Sequence, residues 1–177
     1  MDGPEVRRIV LVGFMAAGKS SIAPRLALAL GWRVLDVDAA IVAAAGRSIA
    51  AIFRDDGEPA FRRLEAELTA RLSSGPPVVV APGAGWITNP ERREVLEDRA
   101  TRVIWLRVSI DEALRRARGD GTERPLLQGA EPKSEATRLL AEREPLYASA
   151  DFTIDVDGRS EDEVVDDILT WLKTSIS

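Results

Sequence analysis

The residue types best suited to chemistry stand together at Gly13 to Ser20, Gly-Phe-Met-Ala-Ala-Gly-Lys-Ser. Their spacing is G-x-x-x-x-G-K-[ST], in which backbone N–H groups of a loop and of the following helix N-terminus point at a phosphate chain, where the helix dipole also favours negative charge. Lys19 then reaches the β- and γ-phosphates, and the Ser20 hydroxyl ligates Mg²⁺. Nucleotide contacts are expected from Gly13, Ala16, Ala17, Gly18, Lys19, Ser20 and Ser21. The plain alternative is a chance glycine turn. The flanks oppose it, because the β-branched run Ile9-Val10-Leu11-Val12 precedes the loop and Ile22 to Leu28 can line one helix face behind it. The loop by itself says nothing about what receives the phosphate.

Acidic and basic side chains elsewhere suggest an acceptor side. Asp36 and Asp38 follow a short apolar segment, Trp32 to Leu35. One carboxylate of such a pair can hold Mg²⁺ through water while the other binds an acceptor hydroxyl and takes its proton. The competing reading is a turn aspartate and a helix N-cap. Arg62, Arg63, Arg124 and Arg143 read singly as solvated surface charges. Arg124 differs because it lies in Thr122-Glu123-Arg124-Pro125-Leu126-Leu127, inside a stretch with glycines at both ends, Gly119 to Gly129. An arginine on a closing loop can neutralise a transferring phosphoryl group while closure excludes water.

Composition narrows the rest. A chain of 177 residues supports one well-buried core, and 45% apolar with 30% charged residues is ordinary for a soluble globular protein. With no cysteine and no histidine, disulfides, thiolate chemistry and histidine triads are excluded, so a general base must be a carboxylate or, failing that, lysine or tyrosine. The formal charge of −5 opposes nucleic-acid binding by bulk charge. No stretch reaches membrane-spanning length. A cytoplasmic protein with no nucleic-acid or membrane partner is expected, working as a monomer because its site is built within one chain.

Around these residues, strand signals at Ile9–Val12, Trp32–Asp36, Val78–Ala81, Arg102–Val108 and Phe152–Val156 alternate with helical ones. The pattern predicts an α/β fold over 1–177 as one domain, with a central five-stranded parallel sheet, helices on both faces and a mobile lid at about 119–130. In the helix after Gly57, the three- and four-residue spacing of Phe61, Leu64, Leu68 and Leu72 marks the expected core face. Parallel strands would also bring Gly13, Asp36, Gly83 and Asp155 near one edge of the sheet, because each ends or follows its strand.

Taken together, these motifs resemble the shikimate kinase family. The resemblance runs from about Arg8 to Leu172 and rests on Gly13 to Ser20, Asp36-Val37-Asp38, Gly46-Arg47-Ser48-Ile49 through Phe53, Gly57-Glu58 with Phe61-Arg62, the turn at Gly83, Arg124-Pro125-Leu126-Leu127 and Arg143-Glu144-Pro145-Leu146-Tyr147. It implies a P-loop kinase that uses ATP and Mg²⁺ to phosphorylate shikimate, or a similar small anionic polyol, on the way to chorismate and the aromatic amino acids. Asp36 would order the magnesium shell through water and Asp38 would act as base. Lys19 and Arg124 would serve catalysis, and Arg116 would lie against adenine. Arg62 and Arg143 would clamp the acceptor carboxylate, with Gly83, Ala84 and Gly85 beside the substrate ring.

The chain departs from the family at four places. Gly83-Ala84-Gly85 replaces three consecutive glycines, and the Ala84 methyl can narrow the acceptor pocket. Trp86 stands where a small residue is usual, and its ring can fill acceptor space. Ala81 replaces a frequent hydroxyl residue near the magnesium water, and Pro24 should bend the first helix. These keep open a related kinase for another hydroxylated acid or polyol such as gluconate, and a catalytically silent module that binds nucleotide and shikimate.

Overall fold

The computed structural model describes residues 6–70, 72, 75–90, 93–119 and 131–175. The predicted lid lies outside the described residues apart from Gly119, and Arg124 lies outside them altogether.

Five strands form one parallel sheet: β1 (Arg8–Val12), β2 (Arg33–Asp36), β3 (Val78–Ala81), β4 (Thr101–Arg107) and β5 (Phe152–Asp155), in the order β2-β3-β1-β4-β5. Among the described residues the eight helices are α1 (Lys19–Leu30), α2 (Val37–Ala45), α3 (Ile49–Asp56), α4 (Glu58–Ala70), α5 (Arg93–Glu97), α6 (Ile110–Gly119), α7 (Pro132–Tyr147) and α8 (Glu161–Ser175). A 3₁₀ turn, Trp86–Thr88, follows β3.

The inner strands are apolar throughout because both faces are covered. Ile9, Leu11, Val79, Ala81, Ile104 and Leu106 face a core shared with α1, α6, α7 and α8. The alternating residues Val10, Val12, Val78, Val80, Val103 and Trp105 face a second core that includes Val37, Ile41, Ile52, Phe61 and Val95 from α2 to α5. Helix α7 contributes to both cores, with Leu139 in the first and Tyr147 in the second. The strand order turns at β1, with β3 on one side and β4 on the other, which is where an open parallel sheet leaves a crevice at its carboxyl edge.

One local expectation changes. In α4, Leu64 and Leu68 are only half-buried, whereas Glu65 and Thr69 lie fully inside along with Phe61 and Ala66. Leu64 and Leu68 still pack against the margin of the second core, in which Phe61 and Leu72 are buried, while Arg62 of the same helix holds Glu65. Asp155 does end its strand at the same carboxyl edge as Asp36, but strand order sets it on the outermost strand farthest from Asp36, paired with Arg107 at 2.5 Å. Helix α1 continues through Pro24, which is exposed, as is Ser20, whose carbonyl the proline leaves without its helical donor.

Candidate active site

The donor side is a single stretch of backbone. Between β1 and α1 the chain makes two turns that need unusual dihedrals: Gly13 has φ 151 and Gly18 has φ 97, while Ala16 takes φ 57, the only positive value outside glycine among the described residues. At Gly13 a Cβ would stand 2.5 Å from the Leu106 carbonyl oxygen, so the loop crosses β4 too closely for any side chain. Lys19 Nζ donates to the carbonyls of Gly13 and Phe14 at 2.8 and 3.0 Å, which folds its ammonium over the loop. Ala17 is buried and anchors the loop, whereas Ser20 and Ser21 are exposed on the first turn of α1. The Ser20 hydroxyl is therefore open to a ligand beside the helix N-terminus.

Arg116 closes the back of this loop. From α6 its Nη1 donates to the Ala16 carbonyl at 3.4 Å and its Nη2 to the Val156 carbonyl at 2.7 Å, while Glu112 accepts from Nε at 2.7 Å. It thus bridges the loop and the segment after β5, on the donor side where the resemblance puts it.

The acceptor side is assembled from several elements. Asp36 ends β2 and caps α2, its Oδ1 accepting the Ala39 N–H at 3.0 Å, so the capping role left open by the sequence is realised. Its Oδ2 takes no hydrogen bond from the described residues and can accept from a metal-bound water. Asp38, in the first turn of α2, faces the turn after β3: a Cβ on Gly83 would lie 2.9 Å from Asp38 Oδ1. That oxygen is buried and has no hydrogen-bond partner among the described residues. Burial pushes the Asp38 carboxyl up and the neighbouring Asp36 adds to this, while Lys19 and Arg62 pull it back down. The donor lysine and the acceptor arginine therefore act on the same carboxylate.

Arg62 packs against Gly85, where a Cβ would come 2.3 Å from its Nη2. Beneath it lies Glu65, with no exposed surface, accepting from Arg62 Nη1 at 2.6 Å. Glu58 accepts from Nη2 at 2.9 Å. Burial pushes the Glu65 carboxyl up to about 7 against the attraction of Arg62. The two glycines thus leave room for Asp38 and Arg62.

Ala84, between them, turns its methyl into the core containing Leu11 and Leu139, whereas Asp38 and Arg62 come from the helices on the other face. The Trp86 ring is 1% exposed and belongs to the core that includes Val37, Ile41, Ile52 and Phe61, on the face from which Asp38 and Arg62 come. Ala81 pairs with Asp36 in register, buried at the strand end. Arg143, on α7, is half-buried and stands close to Tyr147, whose hydroxyl burial pushes up to about 12 while Arg143 opposes the shift.

Three residues of this neighbourhood escape sequence reasoning: Glu65, Tyr147 and Glu112. Glu65 and Glu112 stand three and four residues from the arginines they hold, a spacing that reads on any helix as a surface pair. Only their burial, full for Glu65 and partial for Glu112, separates them from the exposed pairs on α7 such as Arg138 with Glu142.

A parallel α/β sheet with this glycine loop, and a carboxylate and arginine set facing it across β1 and β3, defines a P-loop kinase for a small anionic molecule. The sequence profile of the shikimate kinase family matches residues 15–173. The chain belongs to the shikimate kinase family. It is 48% identical to a shikimate kinase of Nitrobacter winogradskyi over 84% of this chain and 68% of that protein. With one of Rhodococcus jostii it shares 42% over 93% and 97%. A shikimate kinase from Acinetobacter baumannii, solved in complex with shikimate, superposes with a TM-score of 0.89 at 34% identity, covering 97% of this chain and 96% of that one. A gluconokinase from Sinorhizobium meliloti shares the fold, with a TM-score of 0.63 at 21% identity.

Proposed function

We propose that this chain, acting as one domain over 1–177, transfers the γ-phosphoryl group of ATP to a ring hydroxyl of shikimate, giving shikimate 3-phosphate and ADP. The observation that carries the reading is the buried Asp38 Oδ1, unpartnered between Lys19 and Arg62 and facing the Gly83 turn. A buried carboxylate without a donor is costly unless a ligand supplies one, and an acceptor hydroxyl is such a donor.

Lys19 and the backbone from Gly13 to Ser21 hold the triphosphate at the start of α1, with Arg116 on the nucleotide side. Ser20, directly, and Asp36, through water, would hold Mg²⁺. The ion would screen the phosphate oxygens and draw charge from the leaving ADP. Arg62, fixed by Glu65 and Glu58, binds the acceptor carboxylate from α4, and Arg143 binds it from α7. Asp38 hydrogen-bonds the hydroxyl. As the acceptor oxygen bonds to γ-phosphorus and the bond to the ADP oxygen breaks, the hydroxyl proton passes to Asp38. Its raised pKa makes it a better base than an exposed aspartate. Arg124 would cover the phosphates.

No helix among the described residues is long and apolar enough to cross a membrane, and the reading extends to a cytoplasmic monomer serving aromatic amino-acid synthesis. The test is shikimate-dependent ADP formation with Mg²⁺. A folded protein that binds ATP and gives none, or that turns over gluconate in preference, would overturn it.

A further inference from the structure

Tyr147 ends α7 with its side chain 1% exposed and its ring stacked on Trp105, the centroids 5.7 Å apart and the planes at 25°. A buried phenol needs a hydrogen-bond partner. This one donates to the Ala84 carbonyl at 3.0 Å. Ala84 is the middle residue of the acceptor turn, flanked by the two glycines that face Asp38 and Arg62.

Other bonds of the turn include internal ones and one to α4. Trp86 N–H donates to Gly83 at 3.0 Å and Thr88 N–H to Gly85 at 3.1 Å, while Asn89 Nδ2 reaches the Arg62 carbonyl at 3.1 Å. They shape the turn and tie its far end to the helix of one clamp arginine. The Tyr147 hydroxyl is the hydrogen bond that ties its middle to α7, the helix of the other, and Arg143 stands one helical turn before it.

We infer that Tyr147 is a positioning residue for the acceptor: its bond to Ala84 sets the placement of the Gly83–Gly85 turn, and with it Asp38 and Arg62, relative to Arg143. The inference deepens the proposed function and rests on that reading of the site as an acceptor site. Tyr147 itself is sealed from the pocket and touches no substrate.

Tyr147→Phe keeps the ring and its stack and deletes the hydroxyl, and with it both the bond to Ala84 and the hydroxyl's interaction with Arg143. Exchange at the turn, which the Arg143 interaction does not govern, is therefore the deciding readout. Losing one such hydrogen bond corresponds to a change of about fivefold. The expected result is an acceptor KM raised by about that factor with the ATP KM unchanged, and a thermal midpoint lowered by no more than about a few degrees. Hydrogen exchange at the Trp86 and Thr88 amides should quicken while β4 amides stay as they are. Wild-type turnover of shikimate is measured alongside. Its absence would count against the proposed function alone, and the exchange comparison would then decide the inference. Unchanged exchange at the turn overturns it, and so does an equal rise in both KM values with a lowered midpoint. Tyr147 is the single tyrosine of the chain, so 3-fluorotyrosine labelling of the otherwise unaltered protein gives one ¹⁹F signal even if the variant does not fold. Saturating shikimate should shift that signal and ATP alone should not; a signal indifferent to an acceptor that binds overturns the inference.

Discussion

The donor loop after β1 and the acceptor turn after β3 are glycine-containing connections on neighbouring parallel strands, yet they are built by opposite means. The donor loop is contiguous backbone whose shape is the binding surface. Its Gly13 is pressed against a strand carbonyl that has nowhere to go. The acceptor turn contributes little surface of its own. Gly83 and Gly85 are small so that side chains from α2 and α4 can stand where their Cβ atoms would be. Tight approach to backbone makes a glycine a requirement of folding, whereas tight approach to the tip of an arginine makes it a requirement of substrate geometry.

Removing the base is the sharpest way to separate the two sides. Asp38→Asn should lower kcat by about 10²–10⁴-fold, the usual contribution of a positioned acid or base, and leave nucleotide affinity intact. Retained phosphoryl transfer in an ADP-release assay would show that the acceptor side has no base at this position.

The paired glycine variants test the contrast itself. Gly13→Ala should destabilise the fold by about 1–3 kcal/mol through overpacking and a disfavoured φ. A midpoint lower by several degrees is expected, read by thermal unfolding. Gly85→Ala should scarcely move the midpoint, because Arg62 can swing aside, but should raise the acceptor KM by about tenfold through misplacing the clamp. If both variants behaved alike, the distinction between the two turns would be lost.

A smaller effect is expected from Glu65→Gln, read in urea unfolding at several pH values. The folded protein holds the Glu65 proton more tightly than the unfolded chain, with a value near 7 against an ordinary 4.5. Its contribution to stability is therefore full below about 4.5 and lost as pH rises through about 7. The variant should flatten that decline, and Asp38, shifted in the same direction, should leave part of it. An unchanged pH dependence would mean that Glu65 is ionised as easily folded as unfolded.

The smallest effect belongs to Ala84→Gly. With the methyl turned into the core, the acceptor KM should stay within about twofold and stability should fall by about 0.4–1 kcal/mol from the freer unfolded chain. A marked gain in shikimate affinity would instead put the methyl back in the pocket.

The donor side was almost wholly legible because its chemistry depends on backbone conformation over consecutive residues, and glycine spacing reports that directly. Alternation of strand and helix also sufficed for a parallel α/β sheet. It did not supply the strand order, which places Asp155 at the far edge from Asp36. In α4, leucine periodicity pointed to Leu64 and Leu68, yet Glu65 occupies the deepest position because Arg62 neutralises it from above. What Ala84 and Trp86 do at the acceptor turn was not legible for a related reason. A residue's type says what it can fill, and its direction from the backbone decides which side it fills.

By itself, then, the sequence determined that this protein cradles a phosphate chain, and through resemblance it named an acceptor. Which carboxylate stands unpartnered between lysine and arginine, what holds that arginine, and which way the altered turn faces were decided only by tertiary structure. Those properties arise where α2, α4, α7 and the turn after β3 meet, and residues so far apart in the chain carry no mark of meeting until the sheet has brought them to one edge.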